Sequence, residues 1–389
     1  MKISILTPDL SHNCLGRAYL LAKILQRHYE VEIIGPRFGD GIWEPVANDK
    51  SIKYKSVKIR GRFKPYWQIR KLANKIDGDV IYASKPVFTS FGLGLLKKIS
   101  DDTPLILDID DWQMGFIKRG YKNLSPPHHL KYLATSLLYF YGIGSYWSTL
   151  VGEKLSHLAD EITVSNDFLK EKFGGTIVSH GRDTEDFNPE KFNKDSIRMK
   201  YKIRKNRLII MFFGTPLRYK GIEDLIESIS LIKDQGITLA IIGINYKSPY
   251  CLNIVKTAKE RLGEDGFIDF GLQPFDRVPE FLAMADVVAI PQRKNFATIG
   301  QMPAKVFDAM AMAKPIIATN VSDLPEILNG CGWIVEPENP KQLAKSIQYV
   351  LDNPKEAKEM GQKARKKCIE KYSWDAMEEI LLKVFKKYE

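Results

Sequence analysis

Residues 300–318 read Gly-Gln-Met-Pro-Ala-Lys-Val-Phe-Asp-Ala-Met-Ala-Met-Ala-Lys-Pro-Ile-Ile-Ala, and they predict a loop, a helix, a turn and a buried strand in succession. Pro303 favours a helix start close by. That start would point free backbone N–H groups toward Gly300–Met302, with Lys305 in the first turn and Asp308 one turn on. This arrangement suits an anionic phosphate and a ribose hydroxyl, although an ordinary packed αβ unit has the same spacing.

The bulk composition indicates a globular enzyme of two or three domains. The chain has 389 residues, of which 44% are hydrophobic and 11% aromatic, enough to fill more than one core. The formal net charge of +11 favours anionic partners such as nucleotide diphosphates, phospholipid headgroups or nucleic acid, without choosing among them.

The cysteines and the first residues indicate a reducing compartment. The four cysteines, at positions 14, 251, 331 and 368, show no paired spacing, which argues against a zinc site or a disulfide framework. The opening run, Met-Lys-Ile-Ser-Ile-Leu, is too short for a signal peptide and predicts a first buried strand. We therefore expect a cytoplasmic protein.

Short apolar or β-branched runs recur through the first half of the chain, mostly separated by segments long enough for a crossover helix. They predict strands at residues 3–7, 31–35, 79–84, 105–109, 161–165 and 176–179. This alternation is typical of a doubly wound, Rossmann-like domain.

The alternation restarts after a highly charged stretch, residues 190–207, which we interpret as an interdomain linker. Strands are predicted at residues 208–214, 238–243, 267–271, 287–291, 315–319 and 333–335. Helices are predicted near residues 221–233, 250–262, 277–284, 303–312 and 340–352, and residues 354–388 predict two more.

These elements predict an α/β fold with two Rossmann-like, doubly wound parallel-sheet domains that face each other across a cleft. The first domain would cover residues 1–190 and the second residues 191–372. Ligands of open α/β sheets bind at the carboxyl ends of the strands. We therefore search for site residues at those ends.

In the second domain, the turn from Phe213 to Gly221 follows a strand and opens a helix. Arg218 and Lys220 in this turn would neutralise the charge of a diphosphate leaving group. The alternative is a surface loop with two basic residues. The turn is poor in glycine and lacks the Gly-Lys-Ser/Thr ending of a P-loop.

In the first domain, Asp110 and Asp111 end a predicted buried strand. Carboxylates there would accept a proton from an incoming hydroxyl or stabilise a positively charged, sugar-like transition state. Asp108 and Asp110 also have the spacing of a metal-chelating pair, but cationic side chains already compensate charge, so we expect no metal. Asp111 alternatively caps the next turn.

Gly16 lies in the first predicted strand-to-helix loop, where a small residue lets a ligand approach the backbone. The loop has no Gly-x-Gly-x-x-Gly motif, so we expect no bound NAD.

Residues 53–75 mix aromatic and basic side chains. This run is either a solvated face or a surface for phospholipid or an anionic acceptor; its marked residues are Tyr54, Lys55, Lys58, Arg60, Arg62, Phe63, Lys64, Tyr66, Trp67, Arg70 and Lys71.

Taken together, the motifs resemble those of retaining GT-B glycosyltransferases of family 4, which use nucleotide-diphosphate sugars. The matching motifs occur in the family's order and cover nearly all of the chain: residues 159–165, 181–189, 214–221, 270–271, 281–291 and 307–318. The closing Tyr372-Ser-Trp374 is similar to the family's final helix, so residues 373–389 are expected to pack back on the first domain.

The resemblance implies roles for residues of the second domain. Lys220 matches the lysine that binds the donor diphosphate, and Asp308 stands where a glutamate usually holds the ribose hydroxyls, one methylene shorter. Lys305 is similar to a second phosphate ligand of a subset that builds glycans with amino or deoxy sugars. The implied donor-binding set is Gly16, Gly214, Thr215, Arg218, Lys220, Gly243, Gly300, Gln301, Met302, Lys305 and Asp308.

The chain also departs from the family pattern. Gly300 replaces an earlier glutamate, so sugar recognition is expected to come partly from the backbone or from Gln301. Thr215 replaces an arginine whose charge Arg218 would supply. Asp110 or Asp111 replaces the usual catalytic-region histidine, so the catalytic residues expected are these two aspartates and Lys220.

The resemblance implies a metal-independent, configuration-retaining enzyme without a cofactor. It would move a sugar from a nucleotide diphosphate, UDP or GDP, to a hydroxyl of a glycan or lipid-linked glycan in cell-surface polysaccharide or glycolipid synthesis. Nucleic acid is not an expected partner. Two alternatives remain: a GT-B sugar-nucleotide epimerase, and a catalytically silent GT-B-like binding protein.

Residues 132–152 carry no charge and have the length of a membrane span. Crossing a bilayer would separate strands of one sheet, which backbone pairing forbids. The segment is therefore predicted to be a buried core helix or a monotopic surface beside a lipid-linked acceptor. The second alternative implies peripheral contact with an anionic membrane surface on the inner face of the cell membrane, with aromatic side chains at the headgroup level: Tyr139, Phe140, Tyr141, Tyr146 and Trp147.

Overall fold

The computed structural model describes residues 1–60, 65–122, 124–232 and 236–389. Arg62, Phe63 and Lys64 of the basic run, and Lys233 at the end of a predicted helix, lie outside the described residues. The chain forms two compact units. The first unit comprises Met1–His180, Ile299–Met302 and Met377–Glu389, and the second comprises Gly181–Thr298 and Pro303–Ala376.

The first unit is built on a parallel sheet in the order β3-β2-β1-β4-β5-β6-β7. Its strands are β1 (Lys2–Leu6), β2 (Glu30–Arg37), β3 (Lys53–Lys58), β4 (Val80–Ser84), β5 (Leu105–Ile109), β6 (Glu161–Val164) and β7 (Thr176–Ile177). Central strands such as β4 and β5 are buried along their whole length, which is why they read as continuous apolar runs.

The helices of the first unit connect these strands in the crossover manner of a Rossmann-like fold. They are α1 (Leu15–Leu25), α2 (Glu44–Ala47), α3 (Pro65–Ala73), α4 (Leu93–Asp101), α5 (Gln113–Tyr121), α6 (Pro126–Leu138), α7 (Tyr146–Lys154) and α8 (Asp167–Phe173).

The second unit is built on a parallel sheet in the order β10-β9-β8-β11-β12-β13. In chain order its elements are α9 (Lys194–Lys200), β8 (Leu208–Phe213), α10 (Ile222–Ser230), β9 (Ile237–Ile242), α11 (Pro249–Leu262), β10 (Phe267–Asp269), α12 (Val278–Met284), β11 (Val287–Ile290), α13 (Lys305–Ala311), β12 (Ile316–Thr319), α14 (Leu324–Ile327), β13 (Trp333–Val335), α15 (Pro340–Asp352) and α16 (Pro354–Tyr372). The prediction of two Rossmann-like parallel-sheet domains is confirmed.

One strand of the first sheet, β3, has no counterpart among the predicted strands. It is the edge strand beyond β2, and its residues are half-buried or exposed, so it lacks an apolar pattern. Its Lys55 donates to the buried Glu32 carboxylate of β2 at 3.0 Å. Part of the predicted basic run therefore forms a sheet edge.

The interpretation of residues 190–207 as an interdomain linker is wrong. Helix α9 lies within this stretch and belongs to the second unit. Arg198 is buried, donates to the carbonyl of Met284 at 2.7 and 3.0 Å, and pairs with Asp286 at 2.6 Å. The high charge of the stretch thus serves contacts inside the second unit.

Residues 132–152 do not form the buried core helix that was one of the two alternatives. The segment divides into the end of α6 and most of α7, with a non-helical connection between them. Leu137 and Leu138 at the end of α6 are 61% and 71% exposed. Within the described ranges, no helix combines the length and apolarity needed to cross a bilayer.

The last helix, α17 (Trp374–Phe385), brings the chain back to the first unit from Met377 onward. Phe385 is fully buried and its ring lies 5.4 Å from that of Tyr82 on β4. Glu378 accepts from Arg27 and pairs with His28, each at 2.6 Å. The carboxyl-terminal residues thus pack against both the core and the surface of the first unit.

A buried ion pair connects the carboxyl ends of several strands in the first sheet. Arg17 on α1 donates to both oxygens of Asp108 on β5, at 2.8 and 2.9 Å. It also donates to the carbonyls of Val178 and Ser179 after β7, at 2.7 and 3.0 Å. Because both side chains are almost completely buried, each charge depends on the other for compensation.

Replacing Asp108 by Asn should lower the free energy of unfolding by about 3–5 kcal/mol, because it leaves the Arg17 guanidinium buried without a counter-charge. Denaturant unfolding followed by circular dichroism measures this change. The matched control is Asp101→Asn, which removes an exposed partner of Lys97 on α4 and should leave unfolding unchanged within error. Equal effects of the two substitutions would contradict the prediction.

Candidate functional site

The carboxyl ends of β8 and β9 bring two backbone segments of the second unit into close approach. Gly214 and Gly243 have φ values of 99° and 108°, in the region that favours glycine. A Cβ atom on Gly243 would lie 2.7 Å from the carbonyl of Gly214 and 3.2 Å from the amide nitrogen of Thr215. Only glycine at position 243 allows this packing.

Lys305, the first residue of α13, extends into the same place. Its Nζ donates to the carbonyl of Phe213 at 2.5 Å and lies 3.9 Å from the ring centre of Phe212. A Cβ atom on Gly214 would be 3.3 Å from this Nζ. The lysine amine is therefore held beside the Gly214 backbone by a carbonyl and an aromatic face.

Burial, and after it the positive charge of Lys220, lower the pKa of Lys305 well below that of an ordinary lysine. Asp308 acts in the opposite direction. The charge of Lys220 thus reaches the buried amine of Lys305 beside Gly214. An anion bound there would favour the charged form of Lys305.

Arg218 and Lys220 lie in a short helical turn that follows β8. The exposed Arg218 guanidinium lies 5.4 Å from the ring of Tyr250, and Lys220 lies over its neighbour Tyr219. The turn ends at Gly221, where φ is 68° and a Cβ atom would collide with the carbonyl of Pro291. We call Gly214, Thr215, Arg218, Lys220, Gly243 and Lys305 the basic cluster.

Asp308, one turn along α13 from Lys305, is 3% exposed and forms an ion pair with Arg182. Burial raises the pKa of Asp308, whereas the charges of Arg182 and Lys305 act to lower it. Arg182 is not among the residues predicted from the sequence, although it lies in the matched motif 181–189. The signal that could have identified it is a basic residue directly after the glycine that begins this motif.

In the first unit, Asp110 and Asp111 follow β5 and share one cation. Lys85 donates to Asp110 at 2.5 Å and to Asp111 at 2.9 Å. Burial alone would lower the pKa of Lys85, but the two carboxylates raise it above the usual value. Lys85, which follows β4 with a φ of 72°, is not among the residues predicted from the sequence.

Gly300 and Gln301 contact the segment that carries these aspartates. The amide of Trp112 donates to the carbonyl of Gly300 at 2.9 Å, and the Gln301 side chain donates to Asp111 at 3.1 Å. Met302 is buried, and all three residues belong to the first unit, whereas Lys305 and Asp308 belong to the second. The stretch 300–318 is therefore shared between two units.

Gly16 is the second residue of α1 and not part of the preceding loop. A Cβ atom there would lie 3.3 Å from the ring of Trp43, so the small residue makes room for an indole. The carboxylate of Asp108 is paired with Arg17, and that of Asp110 with Lys85. In the part of the chain that the structure describes, no three His, Cys, Asp or Glu residues are grouped to hold a metal ion.

Residues 193–367 match the family model of Glycosyl transferases group 1. The matched region begins just before α9, includes the whole sheet of the second unit and ends within α16. It contains the basic cluster and Asp308.

Two curated relatives show where the sequence similarity lies. Alpha-maltose-1-phosphate synthase of Mycolicibacterium smegmatis is 24% identical over 223 residues, 54% of this chain and 56% of that protein. Lipopolysaccharide 1,2-N-acetylglucosaminetransferase of Salmonella typhimurium is 26% identical over 235 residues, 55% of this chain and 59% of that protein. The chain thus spans little more than half the length of these relatives.

Solved structures match the chain over its whole length. Anabaena Alr3699/HepE, solved in complex with UDP-glucose, has a TM-score of 0.77 at 16% identity, and all of both chains is covered. Sucrose-phosphate synthase from Thermosynechococcus elongatus has a TM-score of 0.75 at 15% identity, covering 100% of this chain and 98% of the other. The likeness concerns the fold, which is that of GT-B glycosyltransferases.

The amine of Lys305 should titrate at lower pH than exposed lysines such as Lys256, and Lys220→Met should raise its pKa, because the nearest positive charge is removed. Nuclear magnetic resonance of isotopically labelled lysine, followed against pH, measures both effects. Lys305→Met assigns the resonance. A Lys305 that titrates together with Lys256 would contradict the described environment.

Proposed function

We propose that the protein is a glycosyltransferase that moves a sugar from a nucleotide diphosphate to a hydroxyl acceptor with retention of configuration. One observation carries the proposal: within the region that matches Glycosyl transferases group 1, the buried amine of Lys305 lies beside the closely packed backbones of Gly214 and Gly243, and the charge of Lys220 acts on it. A diphosphate is an anion that such a cluster neutralises.

The donor would bind to the second unit. Lys220 and Lys305 would bind the diphosphate, and Arg218 would supply the charge that Thr215 lacks. The amine of Lys305 donates to a backbone carbonyl, and its surroundings lower its pKa. The negative charge of phosphate oxygens beside it would stabilise its charged form. Asp308 would accept hydrogen bonds from the ribose. UDP is our first candidate for the nucleotide, since a structural neighbour was solved with UDP-glucose.

The acceptor would bind to the first unit, near Asp110 and Asp111. As the bond between the sugar and the diphosphate breaks, the diphosphate leaves with the electron pair and an oxocarbenium-like sugar remains. The acceptor oxygen attacks the same face while one of the aspartates orients its hydroxyl, and the proton of that hydroxyl passes to the departing diphosphate. Lys85 holds both carboxylates in place through its ion pairs, which suits this orienting role.

The acceptor we propose is a glycan or lipid-linked glycan. Support comes from the names of relatives, which include a lipopolysaccharide 1,2-N-acetylglucosaminetransferase of Salmonella typhimurium. No cofactor or metal enters this mechanism, because cationic side chains would neutralise the leaving group.

Lys220→Ala should abolish sugar transfer and leave the fold intact, because it removes a charge from the leaving-group site. Screening UDP, GDP, ADP and dTDP by thermal shift first identifies the nucleotide, and transfer from its sugar conjugates is then measured. The control is Lys256→Ala, at an exposed lysine of the same unit. Near wild-type turnover in Lys220→Ala would refute the assignment.

An epimer formed from the donor alone, detected by magnetic resonance, would indicate an epimerase instead.

We also propose that the first unit contacts an anionic membrane through an exposed apolar surface, defined as Trp67, Leu130, Leu137 and Leu138. These side chains are 59%, 72%, 61% and 71% exposed. The three leucines recur at positions that share one face of α6. The hydroxyl of Tyr66 lies 3.5 Å from the carbonyl of Leu138, so α3 and α6 are adjacent.

The charges around this surface suit a bilayer with anionic lipid. Arg70 and Lys71 on α3 and Lys131 on α6 are exposed beside the apolar residues. Leucine and tryptophan side chains would enter the headgroup boundary while the basic side chains remain with the phosphates. Such a site would hold the protein beside a lipid-linked acceptor.

The double substitution Leu137→Glu with Leu138→Glu should reduce binding to vesicles of phosphatidylcholine and phosphatidylglycerol by about ten-fold or more, because two apolar contacts are replaced by charges. Flotation measures the fraction of protein bound to the vesicles. This fraction should fall when the salt concentration is raised, and it should be lower for vesicles of pure phosphatidylcholine than for the mixed vesicles. The control is Ile99→Glu, at an isoleucine of the same unit that is 80% exposed. Absence of binding to either vesicle, or dimer formation through this face, would end the proposal.

A further inference from the structure

Arg182 connects three parts of the second unit. Its side chain pairs with Asp308 on α13, and its guanidinium lies 5.2 and 5.9 Å from the rings of Phe275 and Phe187. Its amide donates to the carbonyl of Tyr372, and its carbonyl accepts from the amide of Trp374, both at 2.9 Å. The backbone and the side chain of Arg182 are thus fixed independently.

The pair lies next to the basic cluster. Lys305 and Asp308 are three residues apart on α13, so their side chains lie on neighbouring positions of one helix face. Lys305 contacts the Phe213 carbonyl beside Gly214. The carboxylate that Arg182 contacts is therefore one helical turn from a proposed phosphate ligand.

The carboxylate of Asp308 keeps unused hydrogen-bonding capacity. Arg182 donates through Nε to Oδ1, and among the described residues it is the side chain from which Asp308 accepts a hydrogen bond. An ionised carboxylate has about four acceptor sites on its two oxygens. Oδ2 can therefore accept from a hydroxyl while Oδ1 is held by the arginine.

We propose that Arg182 is a positioning residue of the donor site, which orients the Asp308 carboxylate to accept hydrogen bonds from the ribose hydroxyls of a nucleoside diphosphate. This inference rests on the proposed function. Without Arg182, a buried carboxylate would lose its counter-charge and its fixed orientation together. Arg182 would thus govern nucleotide affinity and the preference for ribose over deoxyribose without touching the nucleotide.

The charges around Asp308 fix the direction of the pH effect. The groups that face it are Arg182, Lys305 on α13 and Cys368 on α16. Burial raises the pKa of Cys368 to about 12, so this thiol stays neutral near physiological pH. Removing Arg182 would raise the pKa of Asp308 further. The carboxylate would then take up a proton as the pH falls, and nucleotide affinity would fall with it.

The test compares Arg182→Gln, Arg182→Lys, Asp308→Asn and the double variant Arg182→Gln with Asp308→Asn. Calorimetric titration measures the affinity for whichever of the three ribonucleotides UDP, GDP and ADP stabilises the wild type most in thermal shift, and for its 2′-deoxy form, at neutral and mildly acid pH. Circular dichroism checks the fold of each variant. The control is Arg365→Gln, because Arg365 donates to the carbonyls of Phe187 and Ala311 without contacting Asp308.

We expect Arg182→Gln to weaken the ribonucleotide by about ten-fold, which corresponds to one lost charged hydrogen bond, and to reduce the ribose preference as far as Asp308→Asn does. Its affinity should fall on acidification where that of the wild type does not. The double variant should be no weaker than either single variant. Arg182→Lys should restore part of the affinity, and Arg365→Gln should keep the wild-type preference and pH profile.

A wild type that binds a nucleoside diphosphate, together with an Arg182→Gln variant that keeps its ribose preference and pH profile, would overturn this inference alone. The same holds if Arg182→Gln does not fold and Asp308→Asn keeps the full ribose preference. A wild type that binds none of the four nucleotides would overturn the proposed function, and the inference with it.

Discussion

The close approach of the backbones at Gly214 and Gly243 is the constraint on which the candidate donor site depends. With φ values near 100°, neither position accepts a side chain without strain, and a Cβ atom at 243 would meet the Gly214 carbonyl. The space left at the ends of β8 and β9 admits the amine of Lys305. A larger residue at 214 would compete with that amine for the same space.

The two units compensate buried charge in different ways. In the first unit, Arg17 neutralises Asp108, and Lys85 neutralises Asp110 and Asp111. In the second, the Lys305 amine donates to a backbone carbonyl beside an aromatic ring, and its pKa is lowered. A neutral acceptor compensates a positive charge only partly, so an anion beside Lys305 would favour its charged form.

The sequence predicted well what depends on local pattern. Buried parallel strands such as β5 and β11 read as apolar runs because both of their faces are covered. Strand β3 was not predicted from the sequence, because an edge strand can be polar. The charged helix α9 was misinterpreted as a linker because its arginine is satisfied by carbonyl and carboxylate groups more than eighty residues away, which no local pattern shows.

The same limit applies to the candidate site. Lys220, Lys305 and Asp308 lie in motifs with fixed spacing, so the sequence could single them out. Their partners could not be found in this way, because Arg182 and Asp308 are separated by 126 residues and meet only in the folded unit. The contacts of Gly300 with Trp112 and of Gln301 with Asp111 are likewise long-range and could not be read from the sequence.

The aspartate at position 308 and the arginine at position 182 are best understood together. The resemblance implies a glutamate at 308, and aspartate is shorter by one methylene, which places the carboxylate nearer the helix and deeper in the unit. At 3% exposure an isolated carboxylate would be strongly destabilised. Arg182 offsets this cost with an opposite charge, and its ring contacts and backbone bonds fix its own position. The short, buried side chain therefore depends on the arginine for charge compensation.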